Sequence, residues 1–259
     1  MAPGEDAGPG RSEGLRPLDW SRRIEGALQR NHFVLHGQRI VDVTTGETMR
    51  HELLLRMVGR QRLIPAGEFV MAAEEFGSIR EIDHWVVGRA IEVAATGHPV
   101  DLNLSSRSTD EVMVRLIRDR LEQAGAEPSD LVLELSEAQL SEAGETGAEF
   151  VDAMDQLGCR IALDGFIEGG QDSMLLRRFP IAYVKLGHPF IDDLATDNGQ
   201  RRLIWSTVFK AHRLGQRVIA QGVEDLATLE QLADLGIDEA QGYALGPPES
   251  LESALSAPA

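Results

Sequence analysis

Cysteine, aromatic residues, long apolar runs and positive charge are all scarce in this chain, and each scarcity closes off a class of protein. The single cysteine, Cys159, cannot form an internal disulfide. It reads as a small buried residue in a reducing compartment. Aromatics make up only 5% of the residues, so the core must be aliphatic and alanine-rich. No apolar stretch approaches the ~18–20 residues of a membrane span. The N-terminus is rich in Gly, Pro and acidic residues and has no signal-peptide pattern. A cytoplasmic protein without membrane contact is therefore expected. The formal net charge is −17. That excludes a general phosphate-backbone binder, so no direct nucleic-acid binding is expected, while a small anion held by a local Arg/Lys cluster stays open.

What is present is a regular alternation. The 259 residues suit one α/β barrel, which typically needs ~250. Residues 1–14 carry no core and read as a disordered tail. Residues 15–249 read as the barrel, and residues 250–259 as a short C-terminal tail. Strands are predicted at 33–36, 40–43 and 49–55, then at 100–103, 131–134, 160–164, 183–185, 217–221 and 239–242. Helices are predicted at 20–28, 65–75, 82–95, 112–124, 145–157, 173–179, 201–214 and 227–235. The apolar stripe of the third helix is Ile82, Trp85, Val86, Ala90, Ile91 and Ala94, and that of the fourth is Val112, Met113, Leu116, Ile117 and Leu121. Ser108-Thr109-Asp110-Glu111 has the form of a capping box. Short strands alternating with helices indicate parallel strands with crossover helices, and seven or eight such units suggest a closed barrel. The chain reads as a lone barrel without an attached sensor domain.

Polar residues recur at the downstream ends of the predicted strands: Asn103, Glu134, Asp164, Lys185, Gln221 and Gln241, with Glu52 opening its own apolar run. In a barrel of parallel strands that edge builds the active site. Glu52, Asn103, Glu134 and Asp164 form a set of hard oxygen ligands suited to Mg²⁺, Mn²⁺ or Ca²⁺. Arg56 lies four residues after Glu52 and suits a phosphate, and Lys185 can touch a phosphate or neutralise the carboxylates. Taken singly, each reads first as a strand-end cap or surface charge; together at successive strand ends they point to one site. His36, His84 and His188 form no ligand-spaced group and read as packing, surface or turn residues.

These stretches resemble the EAL family, the phosphodiesterases and receptors for cyclic di-GMP, from about residue 20 to 248. Gln38-Arg39-Ile40-Val41-Asp42 stands for QPIVD and Glu52-Leu53-Leu54-Leu55-Arg56 for EALLR. Leu63-Ile64-Pro65, Glu68-Phe69 and Ala73-Glu74-Glu75 match LIPPGEF…AEE. Leu102-Asn103-Leu104-Ser105 matches the NLS motif, Glu134-Leu135-Ser136-Glu137 the ELTE motif, and Gln241-Gly242-Tyr243 with Pro247 the terminal QGY…P. The resemblance implies a TIM-like (β/α)8 barrel with one early antiparallel strand. It also implies contacts to cyclic di-GMP from Gln38, Glu52, Leu54, Arg56, Asn103, Asp164, Lys185, Glu224 and Gln241, with Gln38 and Gln241 on a guanine edge. A homodimer is implied too.

The departures from the family pattern carry the functional expectation. DDFGTG appears as Asp164-Gly165-Phe166-Ile167-Glu168-Gly169, KID as Lys185-Leu186-Gly187, and AEGVE as Ala220-Gln221-Gly222-Val223-Glu224. Two carboxylates that would serve a second metal are therefore Gly165 and Gly187, and the carboxylate associated with general-base work is the amide Gln221. An amide cannot take a proton at neutral pH. No catalytic set is intact, although Lys185 is retained. What remains is a residual single-metal site of Glu52, Asn103, Glu134 and Asp164, with no cofactor required. Arg39 and Arg50 replace the family's Pro and Gly beside the site. Both read as solvated side chains, with phosphate binding or pocket crowding as the alternatives. The leading expectation is a receptor that binds cyclic di-GMP without turnover and signals to a regulatory protein partner. A ligand-free interaction scaffold and a weak phosphodiesterase using Glu168 or Asp172 are the alternatives.

Overall fold

A computed structural model describes residues 17–142, 144–166, 172–187, 191, 194 and 197–256. The expected N-terminal tail lies outside the described residues, as do Glu168 and His188. One sheet of ten strands organises the rest. In chain order they are β1 (Phe33–Asp42), β2 (Thr48–Val58), β3 (Leu63–Pro65), β4 (Val100–Asn103), β5 (Leu131–Ser136), β6 (Arg160–Asp164), β7 (Tyr183–Leu186), β8 (Arg217–Gln221), β9 (Glu239–Gln241) and β10 (Glu249–Ser250). From β2 through β4 to β9 each neighbour is parallel. β1 lies antiparallel between β2 and β9 and closes the ring. Eight strands thus form an α/β barrel of the TIM-like type with one early antiparallel strand, while β3 and β10 are added antiparallel outside it.

Several local expectations change once the pairings are seen. The two predicted strands at 33–36 and 40–43 are one continuous β1. Its long ladder with β2, from Phe33↔Met57 to Val41↔Thr48, supplies backbone partners straight through Gly37, Gln38 and Arg39. Glu52 sits mid-strand in β2, as the strand predicted at 49–55 places it. The helix predicted at 65–75 is a 3-10 turn (Ala66–Glu68) followed by α2 (Val70–Phe76), because Pro65 belongs to β3. Ser108 does not cap the next helix. Asp110 does, its carboxylate accepting from the N–H groups of Val112 and Met113. The helix it starts therefore buries Met113, Val114, Ile117 and Leu121, and leaves Val112 exposed.

Residues 250–256 are part of the fold and not a tail. β10 pairs with β1, and Leu251–Ser256 is helical, with Ala254 pressed against Gly37 so closely that a Cβ there would lie 2.8 Å from it. The aliphatic, alanine-rich core is as the composition predicts, with Cys159 inside it. Burial pushes that thiol up to about 12, so it is an inert packing residue.

Candidate active site at the barrel mouth

Side chains alternate between the two faces of a strand, and this alternation assembles the site. Gln38 opposes Glu52 across β1 and β2, Asn103 opposes Glu134 across β4 and β5, and Gln221 opposes Gln241 across β8 and β9. Lys185, fully buried on β7, lies at the centre. Its Nζ donates to Glu52 Oε2 at 3.2 Å and to Glu134 Oε1. Asn103 Nδ2 donates to Glu52 Oε1 at 3.0 Å, and Gln241 Nε2 donates to Glu52 Oε2 at 2.7 Å and to Gln38 Oε1 at 3.0 Å. Gln38 Nε2 in turn donates to the Gly246 carbonyl at 3.0 Å.

Charge in this cluster is set by burial against pairing. Burial penalises the Lys185 ammonium, but Glu134, Glu52, Asp101 and Asp164 outweigh that and hold it protonated. Burial likewise opposes ionisation of Glu52, yet Lys185 and the donors Gln241 and Asn103 keep its carboxyl below the usual range. Glu134 goes the other way. Burial first, then repulsion from Glu52, pushes it well above the ordinary value despite Lys185. With one ammonium among several buried carboxyls, burial and the neighbouring Glu52 carboxylate favour the protonated form of Glu134.

Two residues earlier on each strand, a second interior layer supports the first. Arg50, Asp101, Tyr183 and Glu239 precede Glu52, Asn103, Lys185 and Gln241 by two positions, and so share their face. Arg50 Nε lies 2.6 Å from Asp101 Oδ1, its Nη1 2.6 Å from Glu239 Oε2, and its guanidinium 3.9 Å over the Tyr183 ring. Arg50 is thus a buried structural cation; it is not solvated and does not reach for phosphate. Arg39 is also not at the mouth. It pairs with His51 on the opposite face from Gln38, and its side chain packs beside Gly246.

A recess of about 250 Å³ opens beside Glu52, lined by Gln38, Gln241, Gln221, Glu224 and Tyr243. Its wall depends on Gly242: a Cβ there would lie 2.2 Å from the Val223 backbone, so only glycine permits the approach. Leu54 and Arg56 follow Glu52 on the same face and are half-buried. Arg56 donates to the Leu55 carbonyl at 3.0 Å and lies within electrostatic reach of Tyr243 and Glu52. Gly165 stands exposed after Asp164, with φ +69° and open space where a Cβ would be. Asp172 begins the helix Asp172–Arg178.

For a metal ion the donor set is chemically suitable but already engaged. Glu134 Oε2 and Asp164 Oδ1 are buried without a hydrogen-bond partner, whereas both oxygens of Glu52 accept from side chains. Among the described residues, no group of three or more His, Cys, Asp or Glu is placed to hold a metal ion. Lys185 is the cation that Glu52 and Glu134 already share.

The loop after Asn103 is anchored from outside the barrel. Asp83 Oδ2, on α3 (Ile79–Ala94), accepts from Ser108 Oγ at 2.6 Å and from the Ser105 N–H at 3.2 Å, while Ser105 Oγ donates to Glu74 at 2.8 Å. Burial raises the Asp83 carboxyl to about 6, partly offset by Ser108 and Ser105. Its folded value lies above the unfolded one, so the stability it contributes is full below pH ~4 and is lost as pH rises to ~6, on the order of 2–3 kcal/mol. Urea midpoints of the wild-type chain should therefore fall relative to Asp83→Asn across that window. Parallel pH profiles for the two would refute the shift.

Comparison with known proteins decides the family. The model of the EAL domain matches residues 21–248. The chain belongs to the EAL family. This EAL domain is 31% identical over 88% of its length to signaling protein YkoW of Bacillus subtilis, covering 30% of that protein. It is 31% identical over 90% of its length to the bifunctional diguanylate cyclase/cyclic di-GMP phosphodiesterase MucR of Pseudomonas aeruginosa, covering 35% of that protein. It thus spans about a third of the curated relatives' lengths. Among solved structures, the P. aeruginosa MucR phosphodiesterase in complex with c-di-GMP matches with TM-score 0.84 at 30% identity, covering 92% of this chain and all of that one. The P. aeruginosa FimX EAL domain bound to c-di-GMP matches with TM-score 0.83 at 25% identity, covering 89% of this chain and 96% of that one.

The strand-end polar residues of the sequence do converge, with Gln38 joining them from the antiparallel strand. Asp101, Tyr183 and Glu239 escaped sequence reasoning, which reads their partner Arg50 as solvated. The available signal was the period-two offset from each mouth residue. No helix among the described residues is long and apolar enough to cross a membrane.

Proposed function

We propose that this EAL domain is a receptor that binds cyclic di-GMP at the barrel mouth without hydrolysing it and passes occupancy to a protein partner. One observation carries the reading. Gln38, Glu52, Glu224 and Gln241 share a recess with Gln221, an amide where the family pattern has a carboxylate. Arg56, half-buried beside the recess, suits a phosphate. Gly165 and Gly187 offer no oxygen ligands to a second cation. When bound, divalent cations clamp the phosphate and activate water; the residues left for a first one are Glu134 and Asp164, with Asn103 and Glu52. Lys185 offsets part of that cluster's charge, and in this reading binding does not require a metal.

The test is isothermal titration with cyclic di-GMP in Mg²⁺ and in EDTA, followed by chromatography of the mixture. Saturable heat of similar affinity in both buffers, with no linear dinucleotide, is expected. No heat in either buffer would reduce the domain to a scaffold, and linear product would make it a phosphodiesterase.

A further inference from the structure

A second, larger concavity lies outside the barrel, between α1 (Pro17–Arg30) and the β2–β3 hairpin. Its volume is about 1080 Å³. Five arginines line it, Arg22, Arg23, Arg30, Arg60 and Arg62, against two carboxylates, Asp19 and Glu68. That bias runs opposite to a chain whose net charge is −17. Two of the five are engaged. Arg62 holds Glu68 with both terminal nitrogens at 2.8 and 2.7 Å, and Arg23 lies 5.3 Å over the Trp20 ring. Arg22, Arg30 and Arg60 are exposed and make no ion pair among the described residues. Between them the accessible apolar surface comes from half-buried Trp20 and from Val58, 41% exposed, above the buried Met57 and Ile64.

Unpaired guanidinium groups suit carboxylates, which they can grip with two parallel hydrogen bonds. Trp20 and Val58 suit apolar side chains set between those carboxylates. A nucleic acid fits poorly, because the acidic remainder of the surface repels a long polyanion. We infer that this groove docks an acidic, amphipathic segment of a partner protein, with carboxylates on Arg22, Arg30 and Arg60 and apolar side chains against Trp20 and Val58. The inference is independent of what occupies the barrel mouth.

Fluorescence anisotropy of the full chain with a fluorescein-labelled peptide of alternating Glu and Leu tests it. Saturable binding is expected, weakening as salt rises. The variant Arg22→Glu/Arg30→Glu/Arg60→Glu should weaken it more than ~tenfold, equivalent to ~1.4 kcal/mol. These side chains are exposed, and the Arg→Gln counterpart gives the same readout should the Glu variant fail to fold. Absence of saturation, unchanged affinity in both variants, or equal binding of a Lys–Leu peptide would overturn the proposal. So would tighter binding of a single-stranded oligonucleotide, or competition by a peptide of residues 1–14 as strong as that of the Glu–Leu peptide, which would assign the groove to this chain's own N-terminal segment.

Discussion

Lys185→Met should lower the free energy of unfolding by ~3–5 kcal/mol, because it strands carboxylates that are buried around a single ammonium. Lys185 is completely buried, and its partners Glu52 and Glu134 are 7% and 2% exposed. Methionine fills a similar volume, so the loss reports charge and not a cavity. Glu52 would lose one of its three side-chain donors, and Glu134 its hydrogen bond from Nζ. Urea denaturation at neutral pH measures the effect, and an unchanged slope would show that the native state keeps its compactness. The deficit should shrink as pH falls, since protonated carboxyls no longer need the cation. Adding Glu134→Gln should recover part of it, because neighbouring residues in one network do not contribute additively. A loss below ~1 kcal/mol would mean that the cluster neutralises itself by binding protons, and that Lys185 is not its organising charge.

The triple variant Gly165→Asp/Gly187→Asp/Gln221→Glu should acquire Mn²⁺-dependent hydrolysis of cyclic di-GMP at least ~100-fold above the unmodified chain, the lower end of what one positioned general base contributes. Gln221 lines the recess beside Glu52, so a carboxylate there reaches the same space. At Gly165 a side chain meets nothing within 4 Å, and the cost comes only from φ +69°, which for an L residue is ~1–2 kcal/mol and least for Asp or Asn. The control Gly165→Asn/Gly187→Asn carries the same backbone demand without the charges and should stay inert. A triple variant that folds, binds the dinucleotide and releases no linear product would show that the missing carboxylates are not the whole defect.

Much of this architecture was legible in the residues. Short apolar strands alternating with striped helices specify a parallel barrel, because both periods are written within a window of about ten residues. The polar residues at the strand ends announced the mouth for the same reason. The spelling of the motifs around Glu52, Asn103, Glu134 and Gln241 announced the family. Even the absence of carboxylates at positions 165, 187 and 221 needed no coordinates to notice.

What local pattern could not supply was pairing across long stretches of chain. Gln241 meets Glu52 across 189 residues and Lys185 meets it across 133. Only barrel closure by β1 brings those groups together. The same closure made one strand of two predicted ones, through Gly37 and Gln38, and turned the apparent tail at 250–256 into a helix packed on β1. Arg50 shows the limit most clearly. By composition an arginine belongs in water, but Asp101, Glu239 and Tyr183 surround it inside the barrel, and burial becomes favourable only when all its partners arrive from separate strands. Sequence alone determined which side chains face the mouth, through a period of two along each strand. The tertiary structure decided which of them neutralise one another, because charge in a dry interior depends on partners that the local sequence does not contain.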